Sequence, residues 1–507
     1  MFKRIVKALL DAVIALYVVV VVYYLAYGPD RFTLMGIRIV IEDLFNPVII
    51  LFFAGGLRGL LTVTWNKKAI FDAIIISIST VMALGAMEAF YRIKYPDDMN
   101  PPRFTFNNEG KTSNNDRGPY SGGPKRQGVQ RIMVQGDSIT YGVAVSDYKD
   151  LYPYKLLAIL NQDAPNYDMQ VWAGGGMQID YHAENLAKVG LEVDPDIIVY
   201  QWFVNDTEIM LGRPKPMLAA WRKNPLHPIL ERISIVYRLV DNRLYTLAYQ
   251  PGVAYAEYLR ENMVPYRKGW WLFAREFHKW ATYANGLADR TIMMMYPSLP
   301  FQGEYPFAPI NKAVVSLTHP HSMRIPAAYL PKRDGLEEEG HNTTYELARV
   351  ARRGKTLKGH LAYGPYINFG KGPHQATFNL KLLDQAPKEA KVALLEVATG
   401  IGQTILASRL VHGRDFSQPG QWEEFTIPFA VEVRMLEEVE FRIEWFDEAD
   451  LAVDTVDVPV DYKVEVVDPV DRLKTFNTHA RLFDAHPSPR AHTALAEALA
   501  EQIIKGP

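Results

Sequence analysis

The apolar run Arg131–Gln135 leads directly into Gly136-Asp137-Ser138, and near its far end the chain carries Asp484-Ala485-His486-Pro487. A serine hydroxyl is a poor nucleophile at neutral pH. It needs an imidazole to accept its proton and a third group to hold that imidazole in the useful tautomer. Ser138, His486 and Asp484 are the three residue types required. Asp484 and His486 stand two apart in a Pro-flanked loop, and in an extended stretch such residues point the same way. The carboxylate then reaches Nδ1 and leaves Nε2 for Ser138. Acyl transfer also needs donors for a developing oxyanion, each worth about 3–4 kcal/mol. Asn205, the Ser138 backbone N–H and a glycine of Gly174-Gly175-Gly176 are the candidates. Taken singly, each has a plainer reading as a turn glycine or helix cap.

These residues need elements to place them. Arg131–Gln135, Gln170–Trp172, Asp196–Trp202 and Thr291–Tyr296 read as apolar strands, and Tyr152–Leu160, Ala183–Gly190 and Pro306–Leu317 as helices between them. Continuous apolar strands alternating with helices predict a mostly parallel sheet covered on both faces. Ser138 and Asn205 follow strands, where open α/β sheets place their sites. Between about 318 and 461 the pattern changes to short strands separated by turns such as Gly370-Lys371-Gly372-Pro373 and Gln418-Pro419-Gly420, which predicts an antiparallel sandwich. The α/β pattern resumes at Tyr462–Val467 and closes with a helix over Ala491–Ile504. The sandwich is therefore expected as an insertion ahead of the last catalytic loop.

The order Gly136-Asp137-Ser138-Ile139-Thr140-Tyr141-Gly142, a Gly-rich loop, Asn205-Asp206 and Asp484-x-His486-Pro487 resembles the SGNH/GDSL hydrolases. The resemblance covers roughly 105–310 and 460–505. It implies a flavodoxin-like three-layer α/β/α hydrolase domain with Ser138 as nucleophile, His486 as general base and acid, Asp484 as its orienter, and Asn205 with one glycine, Gly176 ahead of Gly174, in the oxyanion hole. Two departures stand out. Trp172-Ala173 occupies the place where the family's glycine block often begins with Asn, and Phe203 replaces the glycine of Gly-x-Asn-Asp. The insertion looks like a carbohydrate-binding-type β-sandwich, with Tyr363, Tyr366, Trp422 and Trp445 as candidate rings for stacking on sugars.

Fifty-five basic residues against 57 acidic ones give no support to nucleic-acid binding. With no cysteine, disulfides, thiol nucleophiles and thiolate metal sites are excluded. No histidine pair has convincing metal-ligand spacing, and neither a metal nor another cofactor is expected. Three apolar segments, starting after Lys7, at Pro47–Val63 and at Phe71 to Tyr91, are near the length that spans a bilayer. Lys3, Arg4, Lys7, Arg58, Lys67 and Lys68 bias the inner side. The expected organisation is a membrane anchor over 1–92, a linker over 93–130, hydrolase segments at 131–317 and 462–507, and the inserted sandwich at 318–461. The expected place is the bacterial cytoplasmic membrane, with the catalytic domain on the periplasmic side. The expected activity is removal or transfer of O-acyl groups, O-acetyl foremost, on a polysaccharide, with the bilayer and polysaccharide assembly proteins as partners. A lipase or phospholipase acting on the adjacent membrane and a non-catalytic glycan-binding scaffold remain open alternatives.

Overall fold

The strands expected from apolar runs form a five-stranded, wholly parallel sheet. The computed structural model describes residues 2–506 except 28–29, 35–36, 42–50, 52–53, 56, 59–66, 95–124, 144, 146, 209–219, 250, 264–266, 299–304, 342 and 475–485. The sheet contains β1 (Gln130–Gly136), β2 (Tyr167–Ala173), β3 (Ile197–Trp202), β4 (Arg290–Met295) and β5 (Glu465–Val467), in the spatial order β5-β4-β3-β1-β2. The order reverses at β1, between β3 and β2, as in doubly wound sheets.

Both faces are covered because the strands are apolar on both. Ile132, Val134, Val171, Val199 and Met294 pack on one side with Leu156 and Leu160 of the helix Tyr152–Leu160 and with Leu495, Leu499 and Ile503 of the helix Pro489–Lys505. On the other side Gln135 donates to the His182 carbonyl (3.0 Å), and Trp280 donates to Gln135 Oε1 (2.8 Å). These contacts tie β1 to the helices Ile179–Val193 and Lys268–Leu287.

The sheet's amino end is pinned by a buried ion pair. Arg131, 1% exposed, reaches Asp168 on β2 through Nε and Nη2, both at 2.9 Å, and donates Nη1 to the Val193 carbonyl (3.1 Å).

The antiparallel part is one nine-stranded sheet. Its main path runs Thr404–His412, Lys391–Thr399, Glu423–Trp445, Pro365–Leu382, Leu451–Pro459, Leu347–Ala351 and Leu336–Glu339. Gly359–Ala362 pairs with Glu423–Trp445, and Ser322–Pro326 with Leu451–Pro459. Burial alternates along Phe425–Val431, and the inward residues of most strands share one core around Phe369, Phe378, Phe429, Phe441 and Trp445. A flat sheet cannot enclose a single core, so this one is sandwich-like.

One expected turn is absent. Gly370-Lys371-Gly372-Pro373 lies inside the 18-residue strand Pro365–Leu382, paired with the 23-residue strand Glu423–Trp445, whereas Gln418-Pro419-Gly420 does fall in a turn between strands. The pairing slips there, from Gly370 opposite Met435 to Gly372 opposite Val431. An advance of two residues on the glycine strand faces four on its partner, so the extra residues form a bulge in Glu423–Trp445 opposite the glycines, which bends the strands without ending them. The strands Ser322–Pro326, Leu336–Glu339 and Leu347–Ala351 fall in or beside a Pro- and Glu-rich stretch that the sequence did not mark as strand.

The described residues within 1–102 and 214–255 form one compact unit, and the other described residues form another. The first unit contains helices Phe2–Tyr27 and Lys67–Lys94 over the first and third apolar segments. Among the described residues, Arg4–Val22 is the stretch long and apolar enough to cross a membrane, with mean hydropathy 2.6. A signal sequence has the same form. Most of Pro47–Val63 and of the 93–130 linker lies outside the described residues.

Breaking the Arg131–Asp168 pair leaves an unpaired buried charge. Arg131→Ala is expected to cost about 3–5 kcal/mol in urea unfolding, whereas Arg131→Met with Asp168→Leu is expected to cost less than either single change.

Candidate active site

The turn after β1 is set by what surrounds Gly136. A Cβ there would meet Thr140 Oγ1 at 2.0 Å and Gln201 Oε1 at 2.8 Å, so only glycine fits. Asp137 caps the short helix Ser138–Tyr141 by accepting from the Ile139 N–H (2.9 Å). Gly142 ends that helix at φ +79°, hard against Leu151. Between these clamps Ser138 is left half-buried, the one residue of Arg131–Thr140 not fully enclosed.

His486 Nε2 lies 2.9 Å from Ser138 Oγ. The imidazole sits just before the helix Pro489–Lys505, whose amino end is capped by Ser488 Oγ accepting from Ala491. That helix is fixed by its apolar face and by His492, whose Nδ1 accepts the Tyr152 N–H (3.1 Å). Tertiary packing thus brings together two residues from opposite ends of the α/β part. Asp484 lies outside the described residues.

Asn205 stands on the 3-10 turn Val204–Glu208 that follows β3. Its Nδ2 donates to Asp137 Oδ2 at 3.3 Å, and its buried Oδ1 has no partner among the described residues. The expected glycine donors separate. Gly174 gives its N–H to the Gly136 carbonyl (3.3 Å), which extends the β1–β2 ladder and removes it from the oxyanion role. Gly176 is exposed at φ +73° and faces open space.

Two carboxyls that sequence reasoning did not single out lie beneath the site. Asp137 is fully buried, and burial raises its pKa to about 6 despite donation from Ile139 and Asn205 and the attraction of His486. Asp206 accepts from Tyr200 Oη (2.8 Å) and the Phe203 N–H (2.9 Å). Burial first, and then the Asp137 charge, push its pKa well above the ordinary range. Of the two acids, Asp137 is therefore the one that carries negative charge at neutral pH. The sequence signal for both was adjacency: each follows a strand and neighbours a candidate catalytic residue.

The four candidate sugar-stacking rings fare differently. Trp445 is wholly buried, and its Nε1 donates to the Ala449 carbonyl (2.8 Å), so it is a core residue; its strand alternation turned it inward. Trp422 is half-buried, with Lys381 Nζ 4.3 Å from its ring centroid. Tyr363 and Tyr366 are half-buried, Tyr366 at φ +63°. A cleft of about 480 Å³, which the sequence did not suggest, opens elsewhere on the same body. It is lined by His278, Asn368, Phe369, His374, Gln375 and Tyr462 among others.

No family model matches the chain, and no curated protein matches it in sequence. Among solved structures it is similar to carbohydrate-binding modules. One is the C-terminal CBM6 of LamC from Zobellia galactanivorans (12% identity, 27% of this chain, 99% of that chain, TM-score 0.20). Another is a module of Cellvibrio mixtus lichenase 5A in complex with cellotriose (7%, 28%, 98%, 0.20). A family 35 module from Clostridium thermocellum gives 12%, 27%, 96% and 0.19. At these TM-scores the similarity carries no argument, and the sandwich-like description rests on the strand pairing above.

The raised Asp137 pKa has a stability consequence. Between about pH 4 and 6 the folded state holds a proton that the unfolded chain has lost, so stability falls as pH rises through that window. Asp137→Asn removes this penalty. Its melting temperature is expected to gain on the wild type between about pH 4 and pH 7.5, measured by scanning calorimetry.

Proposed function

We propose that this chain is a membrane-tethered serine esterase of the SGNH/GDSL type, removing or transferring O-acyl groups, most readily O-acetyl, on an extracytoplasmic polysaccharide. The observation that carries this reading is the 2.9 Å approach of His486 Nε2 to Ser138 Oγ at the carboxyl edge of a parallel sheet. The doubly wound strand order, the glycine-clamped turn and Asn205 on the adjacent strand end support it.

In this reading Ser138 Oγ attacks the ester carbonyl carbon while His486 Nε2 takes its proton. The carbonyl oxygen becomes an oxyanion, facing the Ser138 N–H, the Gly176 N–H and the Asn205 Nδ2 hydrogen not given to Asp137. Collapse breaks the acyl C–O bond, and the imidazolium returns its proton to the departing sugar oxygen. Water, or a second hydroxyl, then attacks the acyl-serine with His486 again as base. Asp484 orients the imidazole. Hydrolysis and transfer use the same groups and differ only in the acceptor.

The antiparallel body supplies glycan contact in this reading, through the cleft beside Phe369 and Tyr462. Its lining contains no Lys or Arg, and it pairs apolar surface from Phe369, Pro373, Pro428 and Pro459 with amides from Asn368 and Gln375. That mixture suits a neutral sugar ring.

Ser138→Ala and His486→Ala are each expected to lower acetate release from p-nitrophenyl acetate by about 10,000-fold or more. A fluorophosphonate probe is expected to label the wild type and not Ser138→Ala. Unlabelled wild type would favour a glycan-binding scaffold, and fatty-acid release from vesicles without acetate release from an acetylated glycan would favour a lipase. Gly370→Trp, placed where a Cβ meets nothing within 4 Å, is expected to abolish binding of neutral oligosaccharides in calorimetric titration while leaving fluorophosphonate labelling intact.

A further inference from the structure

Helices His227–Ile233 and Ile235–Tyr249 carry large apolar side chains that no described part of their own unit covers. Leu226, Ile229, Leu230 and Ile233 are exposed, Ile233 by 54%. Their spacing of i, i+3, i+4 and i+7 puts them on one helical face. Val240, Leu244 and Leu247 repeat the pattern on the second helix, Leu247 exposed by 61%. This helix already has a committed inner side. Ile235 is buried, and buried Asp241 accepts from Trp221 Nε1 (2.6 Å) and Arg222 Nη2 (2.7 Å). The apolar row is therefore surplus to the unit's own packing.

The surroundings identify what covers it. The same compact unit holds the helix Lys67–Lys94, on which Phe71, Ile78, Val81, Met82, Phe90 and Ile93 are all exposed. One carboxylate joins that helix to the pair. Glu88 accepts from Ser234 Oγ (2.9 Å) and from the Ile235 and Val236 N–H groups (3.1 Å each), while Arg92 Nε donates to it (2.8 Å). The second short helix thus begins beside the carboxyl end of Lys67–Lys94. Lys223, Arg232, Arg238 and Arg243 make the segment basic, against Glu231 and the internally paired Asp241. An apolar row with basic flanks is the pattern of a helix lying in the plane of an anionic membrane surface.

We propose that residues 226–247 lie in the membrane–water interface, with Leu226, Ile229, Leu230, Ile233, Val240, Leu244 and Leu247 turned into the acyl boundary of anionic lipid. This rests on the reading that the first unit is membrane-bound. The occupant is lipid rather than a second copy of the chain, because the helix that anchors the segment is itself unsheathed.

The absence of native cysteine makes the test direct. Ile78→Cys, Ile233→Cys, Leu244→Cys and Glu231→Cys would be made singly in the full chain. Each variant would be labelled with a nitrobenzoxadiazole fluorophore and placed in nanodiscs of phosphatidylcholine and phosphatidylglycerol. Labels at Ile233 and Leu244 are expected to show blue-shifted emission and loss of intensity with lipid carrying a doxyl group near the headgroup. The label at Glu231, on the opposite face, is expected to show water-like emission quenched by iodide. Water-like emission at Ile233 and Leu244 with lipid contact at Ile78 would overturn this inference alone. Water-like emission at all four would overturn the membrane reading as well. Blue-shifted labels at Ile233 and Leu244 that doxyl lipid does not quench would assign the face to protein contact and also overturn it.

Discussion

Position 136 has no room for a side chain, and the rest of the site follows from that. Thr140 Oγ1 fills the space a Cβ would need, held by Gln201 Oε1 (2.9 Å) and Tyr152 Oη (2.8 Å). Three elements therefore converge on the end of β1: its own turn, the end of β3 and the helix Tyr152–Leu160. The close approach drives Asp137 inward and leaves Ser138 as the residue that can be reached from outside. A larger residue at 136 would push apart the groups that aim the hydroxyl.

Burial then sorts the titratable groups. Two acids, Asp137 and Asp206, share a region where a second negative charge is costly, so their ionisation is forced apart. Burial also lowers His182 and His492 to about 3 and His278 to about 4, which keeps all three imidazoles neutral at physiological pH. His182 lies between helix and sheet with its ring against Tyr200, and His492 ties two helix ends together. Ser138 has beside it the histidine of the last loop, His486.

The antiparallel body follows a different logic. The long strands run through the Gly370-Lys371-Gly372-Pro373 stretch because a bulge in the partner strand absorbs the extra residues and bends the ladder. The bend lets one sheet enclose its own core, which consumes Phe369, Phe429, Phe441 and Trp445. Aromatic richness in this stretch is mainly core. The ring surface left over lies where strand and helix meet, beside His278 and Tyr462.

The sequence by itself determined the parallel-strand pattern, the strand-to-helix turn at Gly136-Asp137-Ser138 and the helix Tyr152–Leu160, whose bounds it placed to the residue. Those are local matters of apolar runs, backbone freedom and capping. It also nominated His486 from among 12 histidines, but only the packing of the helix Pro489–Lys505 decided that the imidazole reaches Ser138. The commitment of Gly174 to the sheet, the inward turn of Trp445 and the paired buried acids were likewise decided in three dimensions. Each depends on which neighbour a group meets across the fold, and residue type and spacing along one chain do not encode that meeting.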